Sequence, residues 1–284
     1  MSQNLLDVVD FGVDWFTCTG NTKASKARLC NLGARLIKKE AGYGNTKRNW
    51  HFEGYEGFKS GGVAVGTRST GSIVVCSGRE ARDYWRECFD ACDNVSRLDI
   101  QYTARAERSP AYTINRSRRE ALRHAKTLRR PPKVSLWSEH GGSNTLYLGK
   151  RVSENFGRIY DKATESQSPV FQGCVRFERE VKGNLALQLS KYLYPQRTHR
   201  DRILAEVQGF MQRRGVPYVG TADKLKLLNS PRRKTDIARK QQWLKEQVRP
   251  TVQLLSEYYS IEDIANWLGL SQLKQTNLKL LKRA

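Results

Sequence analysis

The sequence predicts an α+β protein ending in a wholly helical segment, and three observations carry that reading. Runs with the two-residue alternation of strands are interleaved with amphipathic stretches at helical spacing. Beyond Gly220 the strand pattern is gone and helical spacing continues to the end. At 284 residues the chain suits one large domain or two ordinary ones, long enough to bury a real core.

Residues 7–19, DVVDFGVDWFTCT, read as a first strand. A helix follows over Thr22 to Ala41: Thr22 caps it, Leu29, Leu32, Leu36 and Ile37 form its apolar stripe, and Gly42 stops it. Strands are expected over Gly62 to Thr67 and Ser72 to Ser77, then a helix over Arg79 to Cys92 with Ala81, Tyr84, Trp85, Cys88, Phe89 and Cys92 on one face. Val95 to Tyr102 alternates as a strand. Residues 105–133 form a basic excursion ending in Pro131-Pro132, with ten basic residues against Glu107 and Glu120. Three strands follow, Asn144 to Gly149, Asn155 to Ala163 and Gly173 to Lys182, then helices near Leu185 to Leu193 and Arg200 to Arg214. The organisation expected is residues 1–222 as one domain and residues 223–284 as the helical segment.

Lys and Arg number 50 against 28 Asp and Glu, a formal charge of +22 that calls for a polyanionic partner, by default nucleic acid. No apolar run is long enough to span a membrane, and the N-terminus lacks the basic and apolar regions of a secretion signal, so a cytoplasmic protein is expected. The six cysteines include no Cys-x-x-Cys pair and suit buried thiols in a reducing compartment. The four histidines are scattered, with no His-hydrophobe-His triplet, so any metal is held mainly by carboxylates.

Strand alternation sorts the charged residues. Arg97, Asp99 and Gln101 share one face of their strand; Phe156, Arg158, Tyr160 and Lys162 lie together; Arg176, Glu178 and Glu180 oppose Val175, Phe177, Arg179 and Val181. If the three strands are neighbours, these faces form one surface. A divalent ion on Asp99 and Glu178 would polarise a phosphodiester there. Tyr160 would be the nucleophile, its phenolate favoured by Arg158 and Lys162, and the product a covalent phosphotyrosine. The same alternation is also that of an ordinary solvent face.

These residues carry a family resemblance. TLYLGKRVSENFGRIYDKATE followed by VRFEREVKGNLA resembles the core of the Rep-trans replication initiators of rolling-circle plasmids and filamentous phages, and of the related T-class relaxases of conjugative elements. VSRLDIQYT, GVDWFTCT and KQQWLKEQVRPTVQLLSEYY resemble further family segments in the same order. The resemblance implies an antiparallel sheet with helices packed on one face, without a histidine pair. It also implies a DNA nicking enzyme that stays joined to the 5′ end. The family tyrosine matches Tyr160, and the family Asp and Glu match Asp99 and Glu178. Where members often carry a second Asp, this chain has Thr103, so either Asp14 or Glu180 completes the metal site or the site is thinner. Mg²⁺ or Mn²⁺ is the expected ion.

Candidate DNA contacts are Arg97, Arg176, Lys150 and Arg151, with Arg116, Arg118, Arg119, Arg123, Arg129 and Arg130 of the basic excursion. A host helicase and a homodimer are the further partners expected. In SIEDIANWLGLSQLKQTNLKLLKR, Ala265, Gly269 and the Ser271-led stretch have the layout of a helix-turn-helix, or of a plain helical hairpin. A different class, a non-catalytic DNA-binding regulator, would also explain the charge.

Overall fold

The structure, a computed structural model, describes residues 6–138, 144–195, 199–217, 244 and 248–267. The chain divides into two compact units, Met1–Leu228 and Asn229–Ala284. In the first, ten strands among the described residues join one antiparallel sheet: β1 (Val8–Gly20), β2 (Arg48–Phe52), β3 (Tyr55–Ser60), β4 (Val63–Arg68), β5 (Gly71–Ser77), β6 (Asn94–Arg105), β7 (Val134–Ser138), β8 (Asn144–Leu148), β9 (Asn155–Asp161) and β10 (Cys174–Lys182). Their spatial order is β2-β3-β4-β5-β1-β6-β10-β9-β8-β7, so the long strands β1, β6 and β10 lie at the centre. β2, β3 and β7 were not legible in the sequence. β2 and β3 are short and broken by charges and Gly57, and β7 follows directly on the basic stretch.

One sheet face is apolar. Phe16, Leu98, Ile100, Ile159 and Phe177 project from it into a core completed by helices α1 (Lys23–Gly42), α2 (Arg79–Ala91), α3 (Pro110–Lys126), α5 (Gly183–Leu193) and α6 (His199–Gln212). Each such side chain, fully buried, contributes roughly 1.5–3 kcal/mol. α1 begins as its sequence implies: Thr22 caps it with reciprocal bonds to Ser25, and Asp93 accepts from the Asn21 and Thr22 amides. α4 (Lys162–Ser166) is a short turn after β9, capped by Asp161.

The basic excursion folds as α3, whose Ile114 and Ala121 join the apolar core. The arginines of α3 therefore stand in the helical layer, on the far side of the sheet from the polar strand faces, while Arg105 ends β6 and Arg129 and Arg130 follow the helix. The second unit contains helices Arg249–Leu255, with Pro250 in its first turn, and Ile261–Trp267. The domain boundary expected near residue 222 and the second half of the expected helix-turn-helix lie outside the described residues. Among the described residues, no helix is long and apolar enough to cross a membrane.

Candidate active site

The register of the central strands brings the sequence-predicted residues together. β10 pairs with both β6 and β9, placing Glu180 opposite Asp99, Glu178 opposite Gln101 and Arg158, and Arg176 opposite Tyr160. No bulge interrupts either pairing, so alternation predicts the face correctly along all three strands. β1 differs. A register shift between Val13 and Trp15 leaves Val13 and Phe16 in the core and turns both intervening residues, Asp14 and Trp15, toward the open face.

On this face each carboxylate has a cation. The Tyr160 hydroxyl donates to Glu178 Oε2 at 3.0 Å, while Glu178 Oε1 accepts from Arg158. Arg158 Nη2 also lies 3.5 Å from Asp99 Oδ2. Arg97 donates to Asp99 at 2.9 Å through Nε and reaches Glu180 at 3.0 Å, and Lys182 meets Glu180 at 2.8 Å. Arg176 bridges Asp14 at 2.9 Å and Asp10 at 3.3 Å, and Arg82 pairs with Asp10 at 2.7 Å. Lys162 is held by Glu165. Asp99 and Glu178 are each only 1% exposed and Tyr160 8%, so these charges stand in a desolvated layer that requires such pairing.

Burial governs the titration. It pushes the Tyr160 hydroxyl well above the ordinary tyrosine range, Glu178 pushes it further, and Arg176 only partly opposes them. Arg158 does attract the Tyr160 phenolate, as expected of a neighbouring cation, but burial and Glu178 outweigh that attraction. Burial likewise raises Asp99, with Arg97 opposing and Glu178 and Glu180 adding to the rise. Arg158 loses hydration too, but Glu178 and Asp99 outweigh that loss and hold it more firmly protonated.

The donor chemistry fits a hard divalent cation, since Asp99 Oδ2 and Glu178 Oε1 converge on one point. Arg158 Nη2 stands at that point. The Arg158 Nε is buried with no hydrogen-bond partner, so the guanidinium is not fully committed there. Among the described residues, no three His, Cys, Asp or Glu side chains are gathered as a ligand set. Of the two residues considered for completing a site, Asp14 is tied to Arg176 and Glu180 to Arg97 and Lys182. At Thr103 the hydroxyl accepts from Arg176 Nε at 3.0 Å and donates to Gln101 at 3.2 Å, a neutral link.

Tyr160 opens onto a cleft of about 850 Å³ whose lining includes Asp14, Arg97, Arg158, Lys162, Glu178 and Arg151. Lys150 borders an adjoining groove with Arg151, and Arg176 lies beneath the cleft, 3% exposed. Of the basic-excursion residues, Arg116 pairs with Glu107 at 2.7 Å, while Arg118, Arg119, Arg123, Arg129 and Arg130 are exposed and do not line the cleft. Sequence reasoning missed Asp10, Trp15 and Tyr147. Only Tyr147 had a signal, its alternation with Thr145 one strand from Tyr160.

The structure thus sets an antiparallel sheet with helices on one face against a tyrosine–carboxylate–arginine cluster on the other. Residues 93–269, more than half of the chain, match the family model for replication initiation factors. The chain belongs to this family, the Rep-trans replication initiation factors. The fold is similar to the solved structure of the rolling circle replication initiator protein from Geobacillus stearothermophilus, at 19% identity and a TM-score of 0.51, over 72% of this chain and 85% of that one. A search of curated proteins gave no match.

Proposed function

We propose that this initiation factor nicks and rejoins one DNA strand at a rolling-circle origin, through a covalent 5′-phosphotyrosine on Tyr160. The observation that carries the reading is the 3.0 Å hydrogen bond from the Tyr160 hydroxyl to Glu178 inside a cation-lined cleft. A phenol held protonated by its surroundings needs a base at the moment of attack, and Glu178 is in contact with it. The phenolic proton passes to Glu178 Oε2 as the Tyr160 oxygen bonds to phosphorus. The bond from phosphorus to the 3′ oxygen breaks, and that oxygen takes a proton from water. Arg158 and Lys162 neutralise charge on the equatorial oxygens. Joining is the reverse, a 3′ hydroxyl attacking the phosphotyrosine and Tyr160 recovering its proton.

Asp99 and Glu178 are the residues that would hold Mg²⁺ or Mn²⁺, which when bound polarises the scissile phosphate. Tyr160, Asp99 and Glu178 all belong to the domain assigned to residues 1–222; strand separation falls to a host helicase, and a second protomer serves the terminating cleavage. The test incubates wild type and Tyr160→Phe with candidate origin DNA and Mn²⁺ and reads denaturing gels. A metal-dependent protein–DNA band in wild type alone is expected. Normal nicking by Tyr160→Phe, or tight origin binding with no band in wild type, contradicts the proposal; the second favours a regulator.

A further inference from the structure

Beyond the cleft, the open sheet face continues into a second groove of about 700 Å³, and the two share Trp15, Ser77 and Arg97 in their walls. Its floor lies on β3, β4 and β5, which precede the family-matched segment starting at residue 93, while Arg97 and Lys182 in its walls come from within that segment. Its make-up differs sharply from the ion-paired layer. Tyr55, Ala64, Ile73 and Val75 form an apolar floor, with Trp15 and Trp50 packed against it. Trp50 stacks on Phe52 with centroids 5.7 Å apart and planes at 16°, and Phe52 is 43% exposed. A Cβ at Gly66 would come within 3.0 Å of the Trp50 ring, so the absence of a side chain there lets the ring lie against the sheet.

Cations are interleaved with the rings. Arg97 lies over Trp15 at 4.7 Å and Arg68 over Tyr55 at 4.3 Å. Lys59 and Lys182 also line the groove, against Glu53 as its one acidic lining residue. Flat accessible rings alternating with cations suit a ligand that alternates planar bases with phosphates and whose bases are unpaired. A duplex keeps its base faces stacked internally and offers none to Trp50 or Phe52.

We propose that this groove is a sequence-tolerant single-stranded DNA subsite that stacks bases on Trp50 and Phe52 and holds one arm of the strand passing Tyr160. The link to Tyr160 rests on the nicking reading; the single-strand affinity does not. The probe is a fluorescein-labelled oligothymidylate of about 20 nucleotides, followed by anisotropy, with a duplex of equal length beside it. Wild type should bind the single strand more tightly than the duplex. Trp50→Ala with Phe52→Ala should weaken it by about 10–100-fold, from stacking lost at two rings. Trp50→Phe should restore most of that loss, which separates lost stacking from lost folding, with circular dichroism as a check. Unchanged affinity in the double variant overturns the proposal, as does a wild type that prefers duplex. A Tyr160→Phe protein that still forms the DNA adduct would sink the nicking reading and leave the groove standing.

Discussion

The two halves of the open sheet face solve different problems with one architecture. Around β6, β10 and β9 the strands present buried carboxylates, and guanidiniums of which Arg176 is buried and Arg97 and Arg158 half-buried, each matched to an opposite charge. Around β3, β4 and β5 they present an apolar floor under aromatic rings, with cations at the margins. The charged half is intolerant: removing one partner strands another charge in a desolvated layer. The aromatic half is tolerant, since a lost ring subtracts contact area and leaves no unpaired charge. The proposed nicking chemistry, which demands fixed geometry, is assigned to the first half and the proposed sequence-tolerant holding to the second.

That contrast is sharpened by substitutions whose effects should separate. The largest is expected for Glu178→Gln, which keeps shape and removes the base. Adduct formation in single-turnover gels should fall by about 10²–10⁴-fold while oligothymidylate binding stays unchanged. Arg158→Ala leaves Asp99 and Glu178 facing each other, and should lower stability by roughly 3–5 kcal/mol in thermal unfolding. Mn²⁺ should recover more of that stability in Arg158→Ala than it adds to wild type, because the variant frees the point where the two carboxylates converge. Equal metal responses would break the assignment of Asp99 and Glu178. Gly66→Ala, which presses on the Trp50 ring, should weaken oligonucleotide binding a few-fold and leave adduct formation alone.

The smallest effect concerns the support under the aromatic half. α1 packs on β4 and β5, and its start is tied down by Asp93. Bonds from Ser25 and the Thr22 and Asn21 amides lower the Asp93 carboxyl to about 2. The folded value lies below the unfolded one, so this contribution is present at neutral pH and lost as pH falls through the ordinary carboxylate range toward about 2. Asp93 is exposed and screened by solvent, so Asp93→Asn should cost no more than about 1 kcal/mol near pH 7 and almost nothing near the folded value. A loss that persists at low pH would assign the effect to packing.

What could be read from the amino acids follows the same division. That Tyr160, Asp99 and Glu178 share one face was legible because β6, β9 and β10 pair without a bulge, so period-two alternation maps directly onto that face. Asp14 and Trp15 break that rule: adjacent residues face the same way only through the irregularity in β1, which alternation does not encode. The aromatic groove was hidden because β2 and β3 are short, charged strands whose sheet partners are set by tertiary pairing. The arginines of α3 were visible as charge, but the side of the sheet they occupy is fixed by Ile114 and Ala121 entering the core. The lift in the Tyr160 pKa needed burial, which a list of neighbouring cations does not supply.

The central claim is that Tyr160, alone among 12 tyrosines, bonds to DNA. Its most direct test is mass spectrometry of the wild-type adduct after nuclease trimming and tryptic digestion. The account predicts a nucleotide phosphate on the peptide Ile159–Lys162, dependent on Mg²⁺ or Mn²⁺ and lost in Glu178→Gln. A phosphotyrosine mapped to any other peptide would contradict it.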